Sequence, residues 1–156
     1  MTTFTLPMDT AVGRLTLESD GDVLIGIWLP NDSKVAVGRG DDAPPILKET
    51  AAQLEEYFAH ERTEFDIPME LDGTAFQKEV WAELSRIPYG ETISYGELAR
   101  RVGRPKGPRA VGQANGRNPI AIIVPCHRVL ASNGIGGYGG GLPVKRALLA
   151  LEGVTA

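Results

Sequence analysis

The sequence predicts an α+β protein in two parts, a small sheet-and-helix domain over residues 1–72 and a mainly helical domain over residues 73–156. Three observations predict it. Apolar residues alternate near the start of the chain and later recur at helical spacing, the side-chain periods of strand and helix. Two capping boxes, Thr74 to Gln77 and Ser94 to Glu97, open helices in the second part. The charge divides at the same boundary: residues 1–72 carry 5 Lys and Arg against 15 Asp and Glu, net −10, and residues 73–156 carry 11 against 5, net +6.

In "GRLTLESDGDVLIGIWL", Leu15 alternates with Leu17, Asp20-Gly21 turns the chain, and Val23, Ile25, Ile27 and Leu29 alternate on the return. That is a hairpin with a type I′ turn signal. A helix follows Pro44-Pro45, with Ile46, Leu47, Thr50, Ala51, Leu54, Tyr57 and Phe58 on one face. "FDIPMELDG" predicts a further short strand and a break at Asp72-Gly73. Tyr57 and Phe58 read as core, His60 as solvated, and no chemistry is visible in this half. "TAFQKEVWAELSRIP" then sets Phe76, Val80, Trp81 and Leu84 at helical spacing. "SYGELARRVG" is a short helix stopped by Gly103; after "RPKG" another starts with Pro108 at its first position and ends near Asn115-Gly116. Two short helices joined by a tight turn have the shape of a helix-turn-helix.

Composition excludes several classes. The hydrophobic content of 42% is ordinary for a globular chain, and no apolar run approaches the roughly 20 residues that cross a bilayer. "MTTFTLPMDT" lacks the regions of a signal peptide. One cysteine allows no internal disulfide, so the expectation is a cytoplasmic protein. The basic half predicts a polyanionic partner. Ala110, Gly112 and Ala114 are small where a major-groove reader carries long polar side chains. Glycine in a helix costs about 1 kcal/mol relative to alanine, and a helix built to approach DNA without reading its sequence accepts that cost. A core-packed helix is the plainer reading; the adjacent Arg100, Arg101, Arg104, Lys106 and Arg109 weigh against it.

The single cysteine lies in "IAIIVPCHRVL", residues 120–130. "IAIIV" predicts one buried strand, Pro125 ends its ladder, and Cys126 is delivered beside His127. A lone cysteine is ordinarily an inert buried residue. His127 lowers the thiol pKa if the two side chains meet directly or through a water. Strict extended geometry points neighbours to opposite faces, so a bend or a bridging water is required.

"PCHRV", preceded by "ANGRNPI" and followed by "GYGGGLPVKRALLALEG", resembles the O6-alkylguanine-DNA alkyltransferases, also called methylated-DNA–protein-cysteine methyltransferases. The likeness extends through "GTAFQKEVW", "IPYGETISYGELA" and "RAVGQANGRNP", and covers essentially residues 73–153. It implies a ribonuclease-H-like N-terminal domain and a winged-helix-like DNA-binding domain. It implies a repair protein that flips a damaged nucleotide out of duplex DNA and moves the alkyl group from O6 of guanine, or O4 of thymine, irreversibly onto Cys126. In that reading His127 takes the thiol proton through a water, Glu152 orients His127, and Asn118 braces the turn near the cysteine. Tyr95 hydrogen-bonds the leaving guanine and presses on the backbone. The carbonyls of Cys126 and Val129 bind the base amino group, while Tyr138 and the Gly139 amide close the pocket. Arg109 fills the gap left by the flipped base, and Ser94, Ala110, Gly112 and Gln113 face DNA. The resemblance implies no cofactor and no metal, and a monomer, without membrane contact, that clusters on duplex DNA. The chain departs from the family in a shorter stretch between the cysteine and Tyr138, and in having no second cysteine for a zinc site. On the residues alone, two other readings stay open: a helix-turn-helix regulator whose alkylated thiol only signals, and a cysteine hydrolase. A papain-like arrangement is disfavoured, because there the histidine lies far downstream.

Overall fold

Leu15 and Leu17 lie on a strand, as their alternation predicts, but it is the central strand of a meander. The computed structural model of the protein describes residues 3–30, 43–104, 107–131 and 134–155. The chain divides into two units, Met1–Leu71 and Asp72–Ala156. In the first, β1 (Phe4–Thr10), β2 (Gly13–Ser19) and β3 (Leu24–Trp28) form an antiparallel sheet in that order. The β2–β3 turn differs from prediction. Asp20 Oδ1 accepts from the backbone of Asp22 and Val23, so the connection is a longer loop rather than a two-residue type I′ turn. Glu18 then pairs with Gly26 but Ser19 with Leu24, which leaves Ile25 as the extra residue of a bulge. The bulge reverses the alternation: Leu24, not Val23 or Ile25, is buried with Ile27 and Leu29. Among the described residues "FDIPMELDG" contributes one bridge, Leu24 to Met69, and Pro68 has no N–H to extend a ladder.

Helix α1 (Pro45–Phe58) begins at the predicted proline pair and buries Leu47, Thr50, Leu54 and Tyr57. Removing each such side chain from water contributes about 1.5–3 kcal/mol for the larger apolar residues. Phe58 and Phe65 lie against Tyr57.

The second unit is organised by its caps. Before α2 (Ala75–Leu84), Thr74 Oγ1 accepts from Gln77 N at 3.1 Å and Gln77 Oε1 accepts from Thr74 N at 2.9 Å, the complete predicted box. At α3 (Tyr95–Arg101) only half of the second box forms. Ser94 Oγ accepts from Glu97 N, but the Glu97 carboxylate turns outward to Arg100 and Arg101. The charged pairs outcompete the backward hydrogen bond. Arg104 crosses over the Phe76 ring at 5.0 Å. Helix α4 (Pro108–Gly116) starts with Pro108 as predicted, and Trp81 Nε1 donates to Ala114 O at 2.8 Å to tie α2 to α4. Pro105 and Lys106 lie outside the described residues. A two-residue parallel pair, β4 (Ile93–Ser94) with β5 (Val129–Leu130), joins the start of α3 to the chain after the cysteine. Helix α5 (Leu142–Leu151) closes the unit. The fold is α+β, as predicted. Among the described residues no helix is long and apolar enough to cross a membrane.

"IAIIV" is buried as predicted but is not a strand. Ile122 has φ 75°, and Ile123 N bonds back to Ala121 O, a γ-turn with positive φ. Pro125 makes the mirror turn, Cys126 N bonding to Val124 O at 2.8 Å. A β-branched residue held at positive φ costs ~1–3 kcal/mol, and surrounding structure must over-determine it. Asn118 supplies part of that hold, accepting from Ile120 N and donating to Val124 O at 2.7 Å.

Candidate active site

The two turns deliver Cys126 into a single 3₁₀ turn, Cys126–Arg128, in which all three side chains are buried. This is the bend that adjacent Cys and His require to face one site. His127 and Glu152 are fully buried and their Nε2 and Oε2 lie 2.7 Å apart. Glu152 caps the C-terminus of α5 and also receives Arg128, through Nε at 2.8 Å and Nη2 at 3.0 Å. The remaining Arg128 nitrogen donates to Ile87 O at 2.7 Å, and Gly90 N donates to Glu152 Oε1. One carboxylate thus receives an imidazole, a guanidinium and a backbone amide, which lets an ion pair persist in the interior.

The electrostatics follow from burial. Burial is the largest effect on His127 and holds its pKa below the ordinary value, against the pull of Glu152 and with help from Arg128 and Lys145. The imidazole is therefore neutral at pH 7. With its proton on Nε2, donated to Glu152, the lone pair lies on Nδ1. Nδ1 is buried and has no hydrogen-bond partner among the described residues. Burial likewise raises the Cys126 thiol, opposed by hydrogen bonds from Asn118 and Tyr138 and by the charge of Lys145. Desolvation outweighs the stabilising contacts and holds the thiol above its ordinary value; the expected lowering required a direct or water-mediated contact with His127.

Tyr95 sits at the start of α3, half-buried, and its hydroxyl is pushed up first by burial and then by the charge Cys126 can carry, with Asn115 opposing. A Cβ on Gly112 would sit 3.7 Å from the Tyr95 ring, in ordinary contact; the glycine leaves that ring uncrowded. A cleft of about 480 Å³ is lined by Ser94, Tyr95, Gly96, Arg109, Gly112 and Ala131, among others. On α4, Arg109, Ala110 and Gln113 are exposed, Gly112 is half-buried, and Val111, Ala114 and Asn115 are buried, so of the three small residues only Ala110 is exposed and Ala114 packs into the core. Val129 is fully buried and its carbonyl already accepts Lys145 Nζ at 2.7 Å; the Cys126 carbonyl accepts from Val129 N and from Asn115 Nδ2. Tyr138 is half-buried and Gly139 exposed. Ser132 and Asn133, within the shortened stretch, lie outside the described residues. Among the described residues no three His, Cys, Asp or Glu side chains could together hold a metal ion.

Sequence reading assigned no role to Arg128, Lys145 or Asn115. Lys145 is fully buried, its ammonium pulled down to about 8 by desolvation and held by the carbonyls of Val129 and Gly137. Its signal was spacing: Lys145, Leu148, Leu149 and Glu152 share one helical face, which puts two charges on an apolar stripe. Asn115 likewise shares the buried face of α4 with Val111. Arg128 had no signal beyond adjacency, since its partner lies 24 residues away.

The family described as the 6-O-methylguanine DNA methyltransferase DNA-binding domain matches residues 75–154, and that of the corresponding ribonuclease-like domain matches residues 4–71. A methylated-DNA–protein-cysteine methyltransferase of Mycobacterium tuberculosis is 50% identical over 147 residues, covering 93% of this chain and 89% of that protein. One from Methanosarcina acetivorans is 58% identical over 109 residues, 69% of this chain and 70% of that protein. The crystal structure of M. tuberculosis O6-methylguanine methyltransferase superposes with a TM-score of 0.87 at 46% identity, covering 97% of this chain and 93% of that one. The structure of M. tuberculosis OGT in complex with DNA gives 0.85 at 48% identity, over 96% and 91%.

Proposed function

The chain belongs to the 6-O-methylguanine DNA methyltransferase family, and from that premise we propose that it repairs O6-alkylguanine in DNA by taking the alkyl group onto Cys126. The observation that carries this reading is the buried Cys126–His127–Arg128 turn, with Glu152 on Nε2 of the histidine and Nδ1 left as a base. Cys126 Sγ bonds to the alkyl carbon as the bond from that carbon to O6 breaks, and the electron pair leaves with the guanine. The thiol proton passes through a water to His127 Nδ1, and the imidazolium that forms is stabilised by Glu152. Tyr95, kept protonated by burial, donates to the departing base. The product thioether has no hydrolytic exit, so each molecule reacts once. O4-alkylthymine fits the same chemistry. A turnover assay on methylated duplex tests the reading: one equivalent followed by silence is expected, whereas binding without transfer would indicate a regulator and repeated turnover a hydrolase.

The pH dependence follows from the two basic groups. An imidazolium cannot accept the proton, so the rate falls as pH drops through the His127 pKa, which lies below its ordinary value. Lys145, near 8, loses its charge above that pH and with it the attraction for a forming thiolate. Transfer should therefore be flat near neutrality and decline above about pH 8, although a free thiol would become more reactive there. In Lys145→Met the plateau should drop and the alkaline decline disappear; a rate that climbs with pH in the native protein would contradict this.

Arg109 stands exposed at the start of α4, among residues too small to fill a base stack. Its planar guanidinium can stack and hydrogen-bond in place of the flipped base. Arg109→Ala should slow reaction with duplex by an amount reflecting a few kcal/mol of unstacking, and leave reaction with a free alkylated base near normal. Equal slowing on both substrates would assign Arg109 to the fold or the pocket.

A further inference from the structure

Three residues of the turn at 87–90 grip the Glu152 network. Ile87 O accepts from Arg128 Nη1 at 2.7 Å, and Gly90 N donates to Glu152 Oε1 at 3.4 Å. Between them, Tyr89 Oη donates to Leu151 O at 3.2 Å, and the Arg128 guanidinium lies over the Tyr89 ring, 5.8 Å from its centre. Gly90 has φ 80°, and a Cβ there would come within 3.3 Å of the Glu152 carbonyl, so the turn is shaped to approach the end of α5 closely. Ile87 and Gly90 act here through backbone atoms, and Tyr89 through its side chain. Resting on the alkyl-transfer reading, we propose that Tyr89 is a positioning residue: through Leu151 and Arg128 it holds the Glu152 carboxylate against Nε2 of His127.

The end of a helix explains why such a residue is needed. A helix leaves its last four carbonyls without an intrahelical partner, and its end frays unless something else holds it. Leu151 is the last residue of α5 and Glu152 its C-cap, so a hydroxyl on the Leu151 carbonyl fixes the backbone from which the carboxylate projects. The demand on that carboxylate is exacting, because Oε2 meets His127 at 2.7 Å while both oxygens receive Arg128. The Tyr89 ring steadies Arg128, since a cation within about 6 Å of a ring centroid is attracted to its face. Burial, and after it the charge of Glu152, raises the Tyr89 hydroxyl pKa, with Arg128 opposing, so the hydroxyl stays a donor at neutral pH. Packing alone would need only the ring; the hydroxyl on the helix end is what a positioning role adds.

The test removes the hydroxyl and keeps the ring, in Tyr89→Phe. The charges that act on the His127 pKa are Glu152, Arg128 and Lys145, and of these only Glu152 favours the imidazolium. If Glu152 recedes, the imidazolium loses support and the His127 titration moves to lower pH, by about half a unit for the loss of one net hydrogen bond. The maximal single-turnover rate on methylated duplex should fall by the matching factor, roughly threefold, with no change in the duplex concentration that gives half that rate. The titration is followed by NMR, in a chain with only two imidazoles, His60 and His127. Tyr89→Leu, which also takes the ring from Arg128, should slow transfer further, to roughly tenfold below native. A lowered Tm with unmoved titration and rate in Tyr89→Phe would make Tyr89 merely structural and overturn the proposal. A raised half-rate concentration at an unchanged maximal rate would overturn it too, in favour of a DNA contact. If Tyr89→Leu does not fold, the phenylalanine variant still decides. Should the native protein transfer nothing, the alkyl-transfer reading fails, while the His127 titration still tests Tyr89 on its own.

Discussion

Replacing Cys126 with serine should abolish alkyl transfer while duplex affinity changes little. The hydroxyl is close in size to the thiol, so the 3₁₀ turn and its neighbours can persist, but it is a far weaker nucleophile and no neighbouring group is a strong enough base to ionise it. The loss should be on the order of 10⁴-fold or more, the scale seen when a nucleophile is removed from a group of residues acting as a unit. Cys126 is buried, so the exposed residues of α4 remain in place in the variant. Single-turnover rates on methylated duplex and binding to unmodified duplex, measured side by side, check both halves. A serine variant that still repairs would remove Cys126 from the chemistry.

The second large effect is at Glu152. Substitution by Gln removes the charge that pairs Arg128 and keeps only part of the hydrogen bonding. Arg128 then remains as a buried cation whose surviving carbonyl partner is Ile87, a loss of about 3–5 kcal/mol by the general behaviour of broken buried pairs. For a unit of this size that lowers Tm by roughly 12–40 °C. Transfer should slow as well, by roughly 10²–10⁴-fold, because the imidazolium formed on His127 loses its counter-charge. The two effects separate in the double variant Glu152→Gln with Arg128→Met. Removing both charges should restore much of the stability, since an absent pair costs far less than a broken one, yet leave the reaction slow. Thermal melts and single-turnover rates of both single variants and the double variant form the cycle. Additive losses of stability would show that the two charges do not share one network.

What could be read in advance was local. The Thr74–Gln77 box and the Pro45 and Pro108 helix starts depend on residues a few positions apart, and all are present; of the small residues of α4, Ala110 is exposed but Ala114 is buried. The errors arose where a local preference met a distant constraint. "IAIIV" has the composition of a strand, but its backbone turns at Ile122 and Pro125, held by Asn118, to place the cysteine and the histidine on one bend. Ile25 has the right parity for the hairpin interior and is displaced by a bulge whose cause lies in the pairing with β2. The candidate site divides in the same way. Cys126 and His127 announce themselves by adjacency, and Glu152 was reached through family resemblance. Arg128, Lys145 and Asn115 acquire meaning only from partners brought together by folding. The neutral resting state of the thiol was equally out of reach, because it depends on how deeply Cys126 is buried.

The central claim is that Cys126 is the single, permanent acceptor of the alkyl group. Mass spectrometry after incubation with a duplex oligonucleotide carrying O6-methylguanine tests it most directly. The expected result is a gain of one methyl group per protein molecule, mapped to the peptide containing Cys126, together with an equal amount of restored guanine. An unmodified protein alongside repaired DNA, or a methyl group on any other residue, would contradict it.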